Sequence, residues 1–493
     1  MQASVSEEMS FTSIIAKARE AFASFSDCRK GKNVSIDMCD AGLSAFAAFF
    51  MQSPSFLELQ RSMQESQGKN NVQSLFGAFR IPSDNHIRTL LDTPTPKELQ
   101  PIFSFIFDGL NRAGVIDSYR YINDSLLIAY DGTDYFSSQK IHCPNCSTQV
   151  HANGETTYRH IAVTPVIVKP GESKIIPLMP EFVSPQDGSV KQDCEINASK
   201  RWLTQWGNDF SQLNVTALGD DLYCHEPLCR DVLAKQMNFI FVCKTESHKE
   251  IYDWISFLDR EHAIKSLVIK RWTGKHYEID TYRYASKIPL RDSKDALNVN
   301  WCELTTTVKG KILYHNAFAT SHEVNGNNVV MMVEAGCARW KIENENNNTL
   351  KTKGYHFEHN FGHGKQNLSA VLATMIIHEE FREGNAAPAS LNREFIQDCK
   401  ANMPKGKRIA RLRADSATYQ AEVINDCEKD HVTFAIAAKK DPAVKAVIAA
   451  IPESEWRTYS DGQIVKSHPK RQLSGVQNNN QIALKKQASL LRC

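Results

Sequence analysis

A chain of 493 residues is longer than one hydrophobic core serves well, which sets an expectation of several domains. Its 42% hydrophobic and 23% charged residues describe an ordinary globular protein, and 58 Lys and Arg against 56 Asp and Glu exclude an overall polybasic chain. Any nucleic-acid surface must therefore be local, in clusters such as Lys270-Arg271, Lys405 to Arg413 or Lys470-Arg471. The longest apolar stretches, Ala41 to Met51 and Ile102 to Phe107, are too short to cross a bilayer, and no basic segment precedes an apolar one at the start. The expectation is a cytoplasmic chain whose 13 cysteines are free thiols or metal ligands, not a disulfide framework.

Residues 1–118 read as a helical region: Leu99, Ile102, Phe103, Ile106, Phe107 and Leu110 recur at helical spacing, and Ser83 is a candidate N-cap before Ile87. Such a region suits a helix-turn-helix DNA reader or a subdomain that packs on its neighbour. After Gly114 the pattern becomes that of strands: Ser125 to Tyr130, Arg159 to Val168 and Lys174 to Met179, three that suggest a meander. A helix over Lys191 to Trp206, a strand over Asn214 to Leu218, a helix over Pro227 to Lys235 and a strand over Asn238 to Cys243 follow. The order β-β-β-α-β-α-β predicts an α/β core over 119–255, with Asp131-Gly132 and Asp220-Asp221 at strand ends, where open α/β sheets usually place their sites. Residues 256–325 read as a β-rich insertion, and 326–380 as the rest of the core, opened by one long helix from Asn328 through Arg339 and Glu343 to about Lys353, where Gly354 stops it. Residues 391–460 read as a fresh start, and 467–493 as a polar, disordered tail.

Three acids, Asp131, Asp220 or Asp221, and Glu343, would supply the hard oxygen ligands that two divalent cations need for phosphodiester cleavage. Arg339 lies one turn before Glu343 and Lys351 two turns after it, cations suited to a DNA backbone. Lys270, Arg271 and Trp272, with Tyr277, Tyr282 and Arg283, interleave charge and aromatic rings as a DNA-gripping surface would. Cys143 and Cys146 have zinc-knuckle spacing, with His142, His151 and His160 nearby; each cysteine pair follows an acid-bearing strand, so Cys224 and Cys229 could converge on them to hold a structural Zn2+. His359 and His363 are spaced as an i,i+4 pair, but Gly354, Gly362 and Gly364 predict a loop there.

Read in order, Asp131-Gly132-Thr133, Tyr135-Phe136-Ser137-Ser138, Pro177 to Glu181, Lys191-Gln192-Asp193-Cys194-Glu195, Leu218 to Tyr223 and Arg339 to Asn344 resemble bacterial insertion-sequence transposases of the insertion-sequence-four-like DDE class. The resemblance spans about Asn33 to Met375. It implies a ribonuclease-H-like DDE core with a β-insertion between the second Asp and the Glu. It further implies Mg2+ or Mn2+ as cofactor, double-stranded DNA (terminal inverted repeats and target) as partner, and a homo-oligomer on DNA, in a bacterial, nucleoid-associated setting. Asp131 would be the first Asp, Asp220 in preference to Asp221 the second, Glu343 the Glu, and Arg339 the Arg of the class's Tyr-x2-Arg-x3-Glu-x6-Lys signature. Two positions depart from it: Gly336 stands where the Tyr belongs, and the Lys comes one place late, at Lys351.

Arg413-Ala414-Asp415-Ser416, Tyr419-Gln420 and Glu422, followed by Val432 to Ala437, resemble a fragment of a second group, the insertion-sequence-thirteen-eighty type, without partner acids for Asp415. The first resemblance stops near Ile376, before the apolar helices that would close the core, so a junction between two elements and an exposed apolar surface are expected. An active transposase and an inactive hybrid that only binds element ends both fit this sequence.

Overall fold

The computed structural model describes residues 10–30, 35–65, 76–78, 80–185, 192–379, 392–401, 403, 406–414, 418 and 420–436. The chain is α/β, and it divides into one compact unit up to Arg382 and a second from Glu383.

Helices open the first unit: α1 (Phe11–Ala23), α2 (Met38–Phe50), α3 (Phe56–Glu65), α4 (Asp84–Leu90), α5 (Gln100–Arg112) and α6 (Val115–Ser118). The Ser10 and Asp37 side chains cap α1 and α2 by accepting backbone N–H bonds from Ser13 and Asp40, and Ser83 holds the N-cap position of α4. Helix α2 carries apolar residues on almost every face and is buried accordingly. Phe22, Phe46 and Phe103 belong to the same core as Trp202 and Phe239, so the change of pattern near residue 118 is not a domain boundary.

The sheet region supplies β1 (Leu126–Ala129), β2 (Gly132–Ser138), β3 (Ser147–Val150), β4 (Thr156–Val163), β5 (Val166–Val168), β6 (Ile176–Pro177) and β7 (Glu181–Phe182). It continues with α7 (Glu195–Ser211), β8 (Val215–Gly219), α8 (Glu226–Ala234), β9 (Asn238–Val242) and α9 (Lys249–Arg260). Four longer strands follow: β10 (Lys265–Trp272), β11 (Tyr277–Pro289), β12 (Asn298–Val308) and β13 (Lys311–Thr320). Nine strands form one sheet in the order β10-β11-β12-β13-β9-β8-β1-β5-β6, in which β1, β8 and β9 are parallel, β5 is antiparallel to β1, and β6, antiparallel to β5, runs in the direction of β1 again. Strands β1, β5 and β8 are buried along their whole length, as continuous apolar runs covered on both faces should be.

Three expectations change here. The strand read over Arg159 to Val168 is two strands: Pro165 cannot donate to a ladder, and the chain passes there from β4, paired with β2, β3 and β7, to β5 in the main sheet. The β-rich segment starts later than expected, because residues 249–260 are helical, and its last strand joins the core, where β13 pairs with β9 and extends the central sheet. The meander is real only as β1-β5-β6, with a β2-β3-β4 excursion inserted after Asp131.

The helix expected over Asn328 to Lys353 is broken. It runs as α10 (Val329–Cys337), a π-helical turn (Ile342–Asn347) and α11 (Asn348–Thr352), with Gly354 at φ +93° beyond its end. Helix α12 (Leu368–Glu379) follows. Val371, Leu372, Met375 and Ile376 of α12 are buried, so the expected break near Ile376 leaves no bare apolar face on this helix.

The second unit holds α13 (Asn392–Ala401), β14 (Arg411–Ala414), α14 (Ala421–Lys429) and β15 (Thr433–Ile436). Strands β14 and β15 are parallel, and Ile396, Val423, Cys427 and Val432 make a small core. Asp415, Ser416, Tyr419, Lys191, Lys405 and the segment 467–493 lie outside the described residues.

Candidate active site and metal centre

Strands β1 and β8 run side by side with Ala129 in register with Leu218, and the N–H of Tyr130 still donates to the Leu218 carbonyl at 2.8 Å. Asp131 and Asp220 each come two residues after that pair, so they leave the same C-terminal edge of the sheet level with each other. Glu343 sits on the π-helical turn, the kind of local widening that recurs at functional sites. One turn later, Asn347 Nδ2 reaches Asp131 Oδ2 at 3.4 Å, and Asn347 Oδ1 accepts from Thr164 Oγ1 at 3.0 Å. The turn that carries Glu343 is thereby tied to Asp131 and to Thr164, whose N–H donates to the Asp131 carbonyl at 3.1 Å.

Arg339 is 6% exposed and donates from Nη1 to Glu343 Oε1 at 3.1 Å. Burial pushes the Asp131 carboxyl up to about 7; Glu195, Glu343 and Asp220 reinforce the shift with like charge, and Arg339 opposes it. Asp220 accepts from the Leu222 N–H at 2.9 Å, a local cap. Asp221 points elsewhere: it accepts from the Lys244 N–H at 2.6 Å and faces His248 Nε2 at 3.3 Å, anchoring the loop after β9.

Glu195 was not singled out by spacing, yet it belongs to this group. Its Oε1 accepts from the Gly132 N–H at 2.9 Å and from the Tyr223 hydroxyl at 2.7 Å, one residue beyond Asp131 and three beyond Asp220. Its carboxyl is held above the usual range by burial, with Asp220 adding to the shift. An acid in the first turn of a helix ordinarily reads as a partner for the helix dipole, which hides it. The usable signal was Gly132, since a Cβ there would lie 2.4 Å from Glu195 Oε2.

The two departures from the transposase signature have local causes. A Cβ on Gly336 would come within 2.5 Å of the Phe318 ring, so this packing of α10 on the sheet leaves no room for a Tyr. Lys351 pairs with Glu358 at 3.0 Å, which commits it to its own loop. Lys270, Arg271 and Trp272 lie on β10, the edge strand. Six strand spacings separate β10 from β1, roughly 29 Å, so these residues are not beside the carboxylates. Lys270 Nζ sits 4.2 Å over the Tyr277 ring, Trp272 and Tyr277 have ring centroids 4.8 Å apart, and Arg271 is neutralised by Asp280 and Glu278. Tyr282 is buried, and Arg283 pairs with Glu303 and Asp259.

The four cysteines expected to converge do not. Cys143 and Cys146 meet His160 and His363, whereas Cys224 meets Cys243 and His248; in each group the ligand atoms lie within 4.8 Å of one another. These are the described groups of three or more Cys, His, Asp or Glu side chains gathered that tightly; the carboxylates around Asp131 are more widely spaced. Cys229 is buried and its thiol is pushed up to about 12 by burial. His359 and His363 lie in a loop, as their flanking glycines predict.

No protein-family model matches the chain, and no curated protein matches it. Among the described residues no helix is long and apolar enough to cross a membrane. What the chain presents is an acid-bearing edge of the sheet with the Arg339 guanidinium turned toward it, and a compact Cys and His cluster built from β4, the loop after β2 and the loop before α12.

Proposed function

We propose that this chain is a DNA transposase, with Asp131, Asp220 and Glu343 as the acids that serve phosphodiester hydrolysis at element ends and strand transfer into target DNA. The observation that carries this reading is that Asp131 feels the charge of Asp220, of Glu343 and of the Arg339 that bonds Glu343, with Asp131 and Asp220 level at one edge of the sheet. The strand order β6-β5-β1-β8-β9, with its mixed directions, agrees with the ribonuclease-H-like core that the motif resemblance implies. Asp220 is the second Asp in this reading, because Asp221 is engaged by Lys244 and His248.

The donor set fits a hard divalent cation: Asp131, Asp220, Glu343 and Glu195 outnumber the Arg339 guanidinium that acts on Asp131. Mg2+ or Mn2+ bound there would supply an activated oxygen nucleophile and stabilise the leaving oxygen. The chain's own part is positioning. Arg339 orients Glu343, Asn347 orients Asp131, and Glu195 holds the backbone of Gly132 while adding negative charge. The partner in this reading is double-stranded DNA, bound by more than one copy of the chain.

The test incubates the full chain and Mg2+ with a duplex carrying the inverted repeats that flank its gene, alongside Asp131→Ala and Glu343→Ala. The expected result is nicking at the repeat ends by the wild type and none by either variant. Equal nicking by all three overturns the assignment, and cleavage indifferent to end sequence points to a generic nuclease. A second reading, an inactive hybrid that binds element ends, is favoured by the separate unit that begins at Glu383, close to where the first resemblance stops. End binding without nicking selects it.

A further inference from the structure

We infer that Cys143, Cys146, His160 and His363 hold one zinc ion as a closed structural site. Cys143 Sγ and Cys146 Sγ are 3.7 Å apart, and each lies 3.4 Å from His160 Nε2. His363 Nδ1 is 3.9 Å from Cys146 Sγ and 3.1 Å from His160 Nε2. Tetrahedral zinc, with Zn–S of about 2.3 Å and Zn–N of about 2.0–2.1 Å, sets its ligand atoms about 3.8 Å apart for S to S, about 3.6 Å for S to N and about 3.3 Å for N to N. The observed separations follow that pattern pair by pair. The sulfurs are too far apart for a disulfide, which needs about 2.05 Å. A single N–H···N bond would explain the two histidines alone, not four soft donors facing one point.

The surroundings hold each donor in place. The Cys146 N–H donates to the Cys143 carbonyl at 3.1 Å, and the Cys143 N–H donates back to Cys146 Sγ at 3.4 Å, closing the tight turn that Cys-x2-Cys spacing needs. His160 stacks on Tyr135 with centroids 5.5 Å apart, and His363 stands edge-on to Phe136 at 4.2 Å. Gly362 at φ +134° and Gly364 at φ +66° flank His363, conformations that L side chains rarely adopt. Asp92 then fixes the loop by accepting the N–H groups of Lys365, Gln366, Asn367 and Leu368 at 2.7–3.0 Å. Binding would release the two thiol protons and leave a neutral Cys2His2 centre.

The site joins distant parts of the chain. Strands β2 and β4, the first of which starts one residue after Asp131, are fastened to the loop that follows the Glu343 segment, since His160 and His363 are 203 residues apart. The inference stands whether or not the chain cleaves DNA.

The experiment measures the zinc content of the full chain by mass spectrometry after dialysis, for the wild type, Cys143→Ser, His363→Ala and, as control, Cys229→Ser. The expected result is about one zinc per chain in the wild type and control, falling at least tenfold in the other two. Because a variant could lose zinc by unfolding, X-ray absorption at the zinc edge of the wild type provides a second readout, with two sulfur and two nitrogen neighbours expected. A wild type without zinc, or a zinc shell of other composition, overturns the inference. So does zinc kept by folded Cys143→Ser and lost from Cys224→Ser. A zinc-loaded protein that fails to nick end DNA overturns the cleavage reading alone.

Discussion

The backbone N–H of Gly132 donates to the Glu195 carboxylate at 2.9 Å, so the residue after Asp131 is pinned by another acid from the first turn of α7. The same carboxylate receives the Tyr223 hydroxyl at 2.7 Å, which links the loops after β1 and β8 through one side chain. Glu195→Ala strands both donors, and about 1–3 kcal/mol of stability should be lost for each, read by denaturant unfolding. Glu195→Gln keeps an acceptor oxygen and should unfold close to the wild type. Its separate signature is the pH profile of nicking: removing a negative charge beside Asp131 lowers the Asp131 pKa, so the acid limb moves to lower pH. An unmoved acid limb would reduce Glu195 to a structural bond.

Asp131 predicts a pH dependence of stability whose sign follows from its raised pKa of about 7. Between the unfolded carboxylate value of about 4 and the folded value, the folded chain holds the proton and the unfolded chain has lost it, so stability falls as pH rises through that window. Asp131→Asn cannot ionise, and without metal it should lose less Tm than the wild type between pH 5 and pH 8. Mg2+ should raise the wild-type Tm more at pH 8 than at pH 5. Identical Tm profiles for the two proteins would show that burial and the neighbouring acids do not keep Asp131 protonated in the folded chain.

Arg339 is the buried cation facing these acids, and its link to Glu343 predicts loss of function on truncation. Arg339→Ala leaves Glu343 without its orienting partner, and nicking should fall at least a hundredfold, about 2.7 kcal/mol or more in transition-state terms. Arg339→Lys keeps the charge but not the planar fork and should recover part of the rate. Full activity in Arg339→Ala would remove it from the site.

Asp220 and Asp221 are neighbours with opposite commitments. Asp220→Asn should abolish nicking while leaving Tm within a few degrees of the wild type. Asp221→Asn should retain nicking and lower Tm, because Lys244 and His248 lose the carboxylate that anchors the loop after β9. Kinetics and thermal melting of the pair check this, and the reverse pattern would exchange their roles.

Much of the architecture was legible because it depends on local pattern. Ser125 to Tyr130 and Asn214 to Leu218 are short apolar runs that end in acids, and burial on both faces of a parallel pair produces that signature. The break between β4 and β5 was not legible, because Arg159 to Val168 keeps a strand-like composition across Pro165 while the chain changes sheets. Lys270, Arg271 and Trp272 look like a DNA grip in one dimension, but ion pairs and a ring contact already occupy Arg271 and Lys270 on an edge strand remote from the acids.

The sequence by itself determined the local elements: an α/β chain opened by helices, with Asp131 and Asp220 at strand ends, Glu343 one turn after Arg339, and a Cys143 and Cys146 pair at knuckle spacing. Only the tertiary structure decided which of these meet. Glu195 joins the acids and His160 and His363 join the cysteines through contacts between residues 63 and 203 positions apart, and no periodicity of 2 or 3.6 residues encodes such a separation. Spacing along a helix or strand is set by its repeat, whereas convergence across elements is set by how the apolar faces pack.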